Sequence, residues 1–466
     1  MKGIGRFAGN PTLRRRHAST VGHAAAGATR YRFAVFALIV VIALVNYIDR
    51  GAISYSAAQI TSEYGFDRAG WGAVLGYFGY GYMFGALFGG ALADRLGAKR
   101  VWVIAGIAWS AFAIAMIWAG DIGIAVFGGS ALTGFATIRV LFGFAEGPAY
   151  SIINKTMSAW ASPSERGFAV SIGLLSTPLG ALLTAPVAVG LLLLTDSWRT
   201  MYIVLGAAGF VLIALFARVY TNRPEDNPRV NAAELAQIQA GRPAQNALAA
   251  AAASALPWWS FFRSKTLVFN SIGYFAFIYV NFMLLTWTPK YLADEFHFTL
   301  SSLWYIGMIP WTGACVTVLL GGRISDWLYR KTGKLVVARS WFAAAALTCT
   351  TLCFLLVSQA QSVWTVIALM TLGNALNALP NSVYWAVVID TAPTRVGTFS
   401  GLMHFIANIA SVLAPTLAGI LSAKYGYSSM FVATAVATAV GVFAMLQVRP
   451  GVGPDVGRRD ARAASA

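Results

Sequence analysis

Apolar segments recur along almost the whole chain, and they constrain its fold more than any other feature. A helix needs about 20 apolar residues to cross the roughly 30 Å hydrocarbon core of a bilayer. With 58% hydrophobic and only 11% charged residues, the chain has the composition of a membrane protein. Its apolar segments lie near residues 33–60, 70–92, 101–119, 124–154, 165–193, 201–219, 267–291, 301–322, 336–357, 363–388, 397–421 and 428–448. The sequence therefore predicts an all-α polytopic membrane protein with about twelve transmembrane helices.

A polar stretch divides the apolar segments into two sets of six. We predict a cytoplasmic N-terminal tail (1–32), a first six-helix bundle (33–219), a cytoplasmic linker (220–265), a second six-helix bundle (266–448) and a cytoplasmic C-terminal tail (449–466). The basic start followed by an apolar run resembles a signal peptide. However, the run continues to about Ile60, which favours a first span that is retained.

The basic residues predict the orientation of the chain. Of its 34 lysines and arginines, 28 fall in the segments that are cytoplasmic when the N-terminus is placed inside. This asymmetry follows the positive-inside rule and puts both termini in the cytoplasm. The net charge of +17 does not indicate a nucleic-acid partner, because the charges alternate between loops instead of forming one basic face.

The two halves of the chain also resemble each other. The segment GGALAD at 89–94 recurs in outline as GGRISD at 321–326, an offset of 232 residues. Residues 163–167 are echoed by 393–397, an offset of 230. Two repeated six-helix halves indicate a transporter whose substrate binds between the halves, near the middle of the bilayer.

Four charged residues fall deep within predicted spans: Asp49, Arg50, Arg139 and Glu146. A charge in a span costs roughly 2.5–3.5 kcal/mol even on a lenient scale, so such residues usually mark a site. Arg139 and Glu146 are seven residues apart and share a helix face, about 10 Å apart along the axis. Facing a cavity, the two arginines balance the two acids in a four-charge network. Its carboxylates could load and release a proton as their surroundings change.

Two alternatives stay open for these charges. Asp49 and Arg50 could form an interfacial helix end, because the apolar run before them is only sixteen residues long. Arg139 and Glu146 could be a static pair that holds helices together without any proton transfer.

Polar residues at helical spacing mark the tenth and eleventh predicted spans. The tenth carries Asn374, Asn377 and Asn381, with Trp385 beyond them, and the eleventh carries His404, Asn408, Ser411 and Pro415. Facing a cavity, such groups suit a polyhydroxylated acid, but hydrogen bonds between helices explain them equally well. His404 is either a second proton site or a packing residue.

The sequence resembles the major facilitator superfamily. The segment GGALADRLGAKR at 89–100 is similar to the superfamily's signature loop between spans two and three, and RVLFG at 139–143 is similar to its fourth-span motif. This resemblance implies a fold of two pseudo-symmetric six-helix bundles. It also implies that Asp94, Arg95 and Arg100 lock the cytoplasmic gate.

Six motifs resemble, more narrowly, the anion:cation symporter family. They are NYIDR at 46–50, RVLFGFAEGPAY at 139–150, RPEDNPRVNAAEL at 223–235, LTWTPKYL at 285–292, VIDTAPTRVGTFSG at 388–401 and NIASVLAPTLAG at 408–419. The family includes bacterial carriers for hexuronates, aldonates, glucarate and some aromatic acids. The resemblance implies that Asp49 and Glu146 couple protons to transport, with Arg50 and Arg139 as charge partners and anion-binding groups.

The substrate-binding candidates come from the motif alignment and from the polar stripes. They are Tyr47, Tyr82, Thr177, Tyr274, Asn281, Asn381, Trp385, His404 and Asn408. Thr177 is shorter than the amide expected at its position in a sugar-acid carrier. The fifth span also lacks the Gly before Pro178 that marks the superfamily's drug antiporters.

We therefore expect a proton-coupled secondary active transporter of the bacterial inner membrane that imports a sugar acid by alternating access. It would act as a monomer in the bilayer, with protons as coupling ion, and would need no cofactor or metal, since the three cysteines lack metal spacing. No catalytic constellation indicates an enzyme. The alternatives are uptake of an aromatic or other small carboxylate, export by proton antiport, and a transporter-like sensor.

Overall fold

The computed structural model describes residues 27–162, 165–240, 257–393 and 395–451. Within these ranges the chain forms helices joined by short turns, without a strand. Most of both predicted tails and the middle of the predicted linker lie outside the described residues. Pro163, Ser164 and Thr394, which belong to the repeated segments 163–167 and 393–397, also lie outside the described residues.

Nine α-helices of the described part precede the linker, and nine follow it. The first nine are α1 (Tyr31–Tyr55), α2 (Ala57–Tyr64), α3 (Arg68–Leu96), α4 (Ala98–Ala115), α5 (Ala119–Val126), α6 (Ala131–Glu146), α7 (Ala149–Trp160), α8 (Arg166–Thr195) and α9 (Trp198–Val219). The linker contributes α10 (Ala232–Gln239). The last nine are α11 (Lys265–Phe296), α12 (Leu300–Ile306), α13 (Ile309–Thr332), α14 (Phe342–Val357), α15 (Val363–Ala378), α16 (Asn381–Thr391), α17 (Val396–Ala407), α18 (Ile409–Tyr425) and α19 (Ser428–Gln447).

Side-chain caps fix several helix starts. Asp67 accepts a hydrogen bond from the backbone N–H of Gly70 at 2.7 Å and begins α3. Ser197 and Ser264 cap α9 and α11 in the same way, each through its hydroxyl oxygen. Such caps satisfy backbone donors that have no partner within the helix, and each contributes about 1 kcal/mol.

Ten helical segments of the described chain are long and apolar enough to cross a membrane, so the protein is a multi-pass membrane protein. The other two predicted spans coincide with α3 and with the α6–α7 pair. The many glycines and tyrosines of α3 lower its hydropathy, and a break at Gly147 and Pro148 divides α6 from α7. The all-helical class is confirmed, while the full count of twelve spans stays a prediction.

The helices pack as two groups. In the first group α3 packs on α6, α4 on α9 and α1 on α8, and in the second α13 packs on α15 and α19 on both α11 and α14. The groups meet where α3 contacts α18, α8 contacts α13 and α1 contacts α11. We call them the first and second helix groups.

Glycines close one end of the interface between the two helix groups. A Cβ added at Gly72 of α3 would lie 2.8 Å from both the Cα of Gly419 and the carbonyl oxygen of Pro415 on α18. Such backbone contact needs residues without side chains. Trp287 of α11 reinforces this end by donating to the Pro415 carbonyl at 3.0 Å. The closed end is the one at which α3 begins.

Candidate functional site

A cavity lies between the two helix groups. It is lined by Tyr47, Arg50, Tyr82, Tyr150, Thr177, Tyr274, Phe277, Ile278, Asn281, Phe282, Leu285, Trp311, Asn381, His404 and Asn408. The structure thus brings eight of the nine substrate-binding candidates together. The ninth, Trp385, does not line the cavity, but its ring lies 5.8 Å from that of His404 and 5.7 Å from that of Tyr274.

Arg50 is the charged residue of the cavity wall. Its Nε and Nη2 donate to one oxygen of Glu146 at 3.1 and 2.9 Å, and Nη2 also donates to Asn46 at 3.3 Å. The rings of Tyr47 and Tyr82 lie 4.7 and 4.4 Å from the guanidinium carbon. Cation–π contacts of this kind hold a guanidinium where few waters reach it.

Glu146 lies behind Arg50 and does not line the cavity. It is fully buried, and its second oxygen, Oε1, has no hydrogen-bond partner. Close packing of α6 on α3 brings it there, since a Cβ added at Gly143 would collide with the carbonyl oxygen of Phe78. Arg50 and Glu146 therefore form a buried ion pair whose cation alone faces the substrate space.

Asp49 is the neighbour of Arg50 in α1, yet it makes different contacts. It is fully buried and accepts a hydrogen bond from Nε1 of Trp109 on α4 at 2.7 Å. Its other oxygen, Oδ1, is buried without a partner. Since Asp49 and Arg50 are both buried inside a 25-residue helix, the structure does not place them at an exposed helix end.

Arg139 differs from the expected arrangement. Its Nε and Nη2 donate to the carbonyl oxygens of Val74 and Leu75 on α3, each at 3.3 Å. It forms no ion pair with Glu146 among the described contacts, because two helical turns separate the two side chains. Within the described four-charge set, only Arg50 and Glu146 form an ion pair, and Arg139 does not contact Glu146 directly, so the predicted network stays a prediction.

His404 lies among aromatic rings from both helix groups. The ring of Tyr150 stacks on it at 5.6 Å and 15°, and the ring of Tyr82 lies 6.3 Å away. Both ring nitrogens of His404 are buried without a hydrogen-bond partner. Tyr150 was missed in the sequence, although it is the last residue of the motif RVLFGFAEGPAY at 139–150.

The asparagines of the tenth predicted span divide into two kinds. Asn374 and Asn377 donate to the backbone carbonyls of Pro310 and Phe277, so they join helices. Asn381 instead lines the cavity, and its side-chain oxygen has no partner. Phe277, Ile278, Phe282 and Leu285 of α11 form an apolar part of the cavity wall. The sequence did not distinguish these residues from ordinary core residues.

Of the three residues of the predicted cytoplasmic gate, Asp94 forms an ion pair among the described residues. Asp94 pairs with Lys155 of α7 at 2.7 Å, which the sequence did not indicate. Arg95 and Arg100 form no ion pair within the described residues. The gating role of these three residues stays a prediction.

A multi-pass helical protein with a central cavity between two repeated halves has the architecture of a membrane transporter. The model of the Major Facilitator Superfamily matches residues 39–415. Because this match covers more than half of the chain, the protein belongs to that superfamily, and it is a transporter and not an enzyme.

Several known proteins are similar to this chain. It is 30% identical over 420 residues to a hexuronate transporter of Bacillus subtilis, and the alignment covers 89% of this chain and 93% of the relative. It is 29% identical over 422 residues to a probable sulfoacetate transporter of Cupriavidus necator, covering 90% and 94% of the two chains. It is 26% identical over 429 residues to a D-galactonate transporter of Escherichia coli, covering 90% and 95%.

A solved structure shows the same fold. It is a bacterial homologue of the human lysosomal transporter Spinster in an inward-facing, occupied conformation, with a TM-score of 0.70 and 15% identity over 91% of this chain and 97% of that one. The hexuronate and D-galactonate transporters among the relatives confirm the resemblance to transporters of organic acids, and the solved structure shows the fold alone.

Proposed function

We propose that this protein is a proton-coupled secondary active transporter that imports a small organic anion by alternating access. Membership in the superfamily and the organic-acid relatives support the anion. The coupling to protons rests on one observation, which is that Arg50 faces the cavity while it is bonded to the buried Glu146.

This arrangement lets the substrate and Glu146 compete for one guanidinium. Arginine presents a planar fork that matches a carboxylate, and it stays charged at all working pH values. While Glu146 is ionised, it occupies two nitrogens of that fork. Protonation of Glu146 removes its charge and leaves the positive charge of Arg50 available to an anion in the cavity.

The charge balance of the buried site favours joint binding of the proton and the anion. With Glu146 ionised and no substrate, the ion pair is neutral. An anion arriving alone would add an unbalanced negative charge to a site that excludes water, which is costly. An anion arriving with a proton leaves the site neutral again. Asp49 would carry a second proton deeper in the first helix group.

A sugar acid is the first candidate substrate because the hexuronate and D-galactonate transporters are relatives. Asn281, Asn381, Asn408 and Thr177 supply amide and hydroxyl groups on the cavity wall for its hydroxyls. The aromatic and aliphatic part of the wall supports the alternative of an aromatic or other small carboxylate. The short side chain of Thr177 leaves both substrates open.

Alternating access would open and close the two ends of the interface between the helix groups. We place both termini in the cytoplasm and the protein in the bacterial inner membrane, where it would work as a monomer. The closed glycine contact of α3 with α18 would then lie on the outer side. Export by antiport and signalling by a transporter-like sensor are less well supported, because pairing the anion site with a buried carboxylate serves joint uptake.

The proposal is tested with purified protein in liposomes. Labelled D-glucuronate, D-galactonate, galactarate and benzoate are supplied outside, and the outside is made acidic. The wild type is expected to accumulate at least one of them above its outside concentration. Glu146→Gln is expected to abolish this accumulation and to retain exchange of labelled for unlabelled substrate.

A matched control separates coupling from damage to the protein. Glu295→Gln changes an exposed carboxylate at the end of α11 and should behave as the wild type. Undiminished uphill accumulation by Glu146→Gln would disprove the coupling role of Glu146.

A further inference from the structure

Ten polar side-chain atoms of the first helix group are buried without a hydrogen-bond partner among the described residues, and five of them belong to the two buried carboxylates and the residues considered with them here. These five are Asp49 Oδ1, Ser110 Oγ, Arg139 Nη1, Glu146 Oε1 and the hydroxyl of Tyr202. None of their residues lines the described cavity. Buried polar groups are nearly always paired, and atoms like these are commonly bridged by ordered water. The set therefore indicates a second polar interior behind the substrate site.

Two aromatic residues complete this polar interior. Trp109 donates its only N–H to Oδ2 of Asp49, which leaves Oδ1 as the free oxygen. The Tyr202 hydroxyl lies within electrostatic range of Asp49, Arg139 and Glu146.

The helix packing fixes both residues. Helix α9, which carries Tyr202, lies against α4, which carries Trp109. A Cβ added at Gly209 would collide with the hydroxyl of Ser110 and lie 3.6 Å from the ring of Trp109. Since Gly209 has no side chain, the two helices approach closely beside Asp49.

We propose that an internal proton relay connects Asp49 and Glu146, with Trp109 as a positioning residue and Tyr202 as the residue that passes the proton on. Trp109 orients Asp49 by holding one oxygen. The Tyr202 hydroxyl, together with ordered water, accepts the proton from the carboxylic acid of Asp49 and gives its own proton to the carboxylate of Glu146. After the step Asp49 is ionised, Glu146 is neutral and Tyr202 is unchanged. The relay rests on the proposed proton coupling.

The charged surroundings make the relay sensitive to pH. Glu146 of α6 and Tyr202 of α9 are the titratable groups that act on Asp49, while Arg50 of α1 is turned to Glu146. Loss of the Trp109 donor destabilises the ionised form of Asp49, which then keeps its proton to higher pH. A hydrogen bond to a charged group is strong enough to move the half-maximal pH of uphill uptake upward by about one unit.

The test measures uphill uptake and substrate exchange across a range of outside pH in liposomes. Trp109→Phe should raise the half-maximal pH by about one unit and leave exchange within about twofold of the wild type. Trp102→Phe is the matched control, because Trp102 lies on the same helix, is equally buried and has an unpartnered Nε1. It should leave the pH profile unchanged.

Tyr202→Phe provides a second test that keeps the ring and removes only the hydroxyl. It should slow uphill uptake about tenfold or more and leave exchange intact, since exchange needs no net proton transfer. Tyr220→Phe, on a buried tyrosine of the same helix group, is its control. Wild-type pH profiles and uptake rates in both Trp109→Phe and Tyr202→Phe would overturn the relay. A wild type that accumulates none of the four anions would instead overturn the proposed function, and the relay with it.

Discussion

The start of the linker is attached to the first helix group through a buried carboxylate. Glu234 of α10 is fully buried and accepts hydrogen bonds from the hydroxyl of Thr29 at 2.6 Å and from the N–H of Tyr31 at 3.1 Å. Its other oxygen accepts from the N–H and the Nη1 of Arg32, each at 3.0 Å. Arg32 also pairs through Nε and Nη2 with Glu165 at 2.8 and 2.9 Å. We call these residues the linker clamp.

Glu234→Ala removes the four hydrogen bonds that the Glu234 carboxylate accepts from Thr29, Tyr31 and Arg32. Breaking a buried ion pair by removing one partner costs about 3–5 kcal/mol. The lower end of that range applies, because Arg32 keeps its two bonds to Glu165. We therefore expect the free energy of local opening of α10 to fall by about 3 kcal/mol, which is roughly a hundredfold in the opening equilibrium.

Hydrogen exchange measures this local opening directly. The backbone amides of α10 should lose roughly a hundredfold of their protection in Glu234→Ala, while those of α13 keep theirs. Asp226→Ala, an exposed change in the same linker, should leave α10 as protected as in the wild type. Equal protection of α10 in Glu234→Ala and in the wild type would show that the clamp does not hold the linker.

Two further predictions concern the clamp and the closed end of the interface. The hydrogen bonds from Arg32 lower the pKa of Glu165. The ionised Glu165 side chain therefore contributes fully to the stability of the folded protein above its unfolded pKa of about 4.3. This contribution is lost as the pH falls through the lowered pKa of the folded state. Glu165→Gln should thus reduce thermal stability in detergent more at pH 7 than at pH 3, and an equal loss at both would contradict this. Gly72→Leu should separate α3 from α18 and abolish transport, whereas Gly90→Leu, whose nearest neighbour is 3.7 Å from the added Cβ, should remain active. Full activity of Gly72→Leu would show that this contact is not part of the transport cycle.

The helical fold was predictable because a bilayer permits few alternatives. Backbone groups in lipid must be paired within the chain, so long apolar segments become helices. The segments of α3 and of the α6–α7 pair were predicted too, but the break at Gly147 and Pro148 was not, because the apolar segment at 124–154 continues through it. The clamp was also hidden, because the polar linker gave no indication that Glu234 would be buried.

The candidate site was predictable as a set of residues but not as a set of bonds. Charges within spans are rare, so Asp49, Arg50, Arg139 and Glu146 stood out. Which charges pair depends on helix rotation and on glycine contacts between α3 and α6, and neither is written in residue spacing. Arg139 therefore bonds to backbone carbonyls instead of Glu146.

Tyr150 and Trp109 were missed for a related reason. An aromatic residue in a span is usually packing, and the sequence does not tell which aromatic residue faces a site. Only the structure shows that one stacks on His404 and that the other donates to Asp49.

In the proposed mechanism the substrate replaces Glu146 as the partner of Arg50, so that anion binding draws a proton from solution. The direct measurement is the pH change of a weakly buffered detergent solution of the protein when the best-binding of the four test anions is added. The wild type should take up protons in proportion to the anion bound, and Glu146→Gln should take up measurably fewer. Anion binding by the wild type without proton uptake, or equal uptake by Glu146→Gln, would contradict the account.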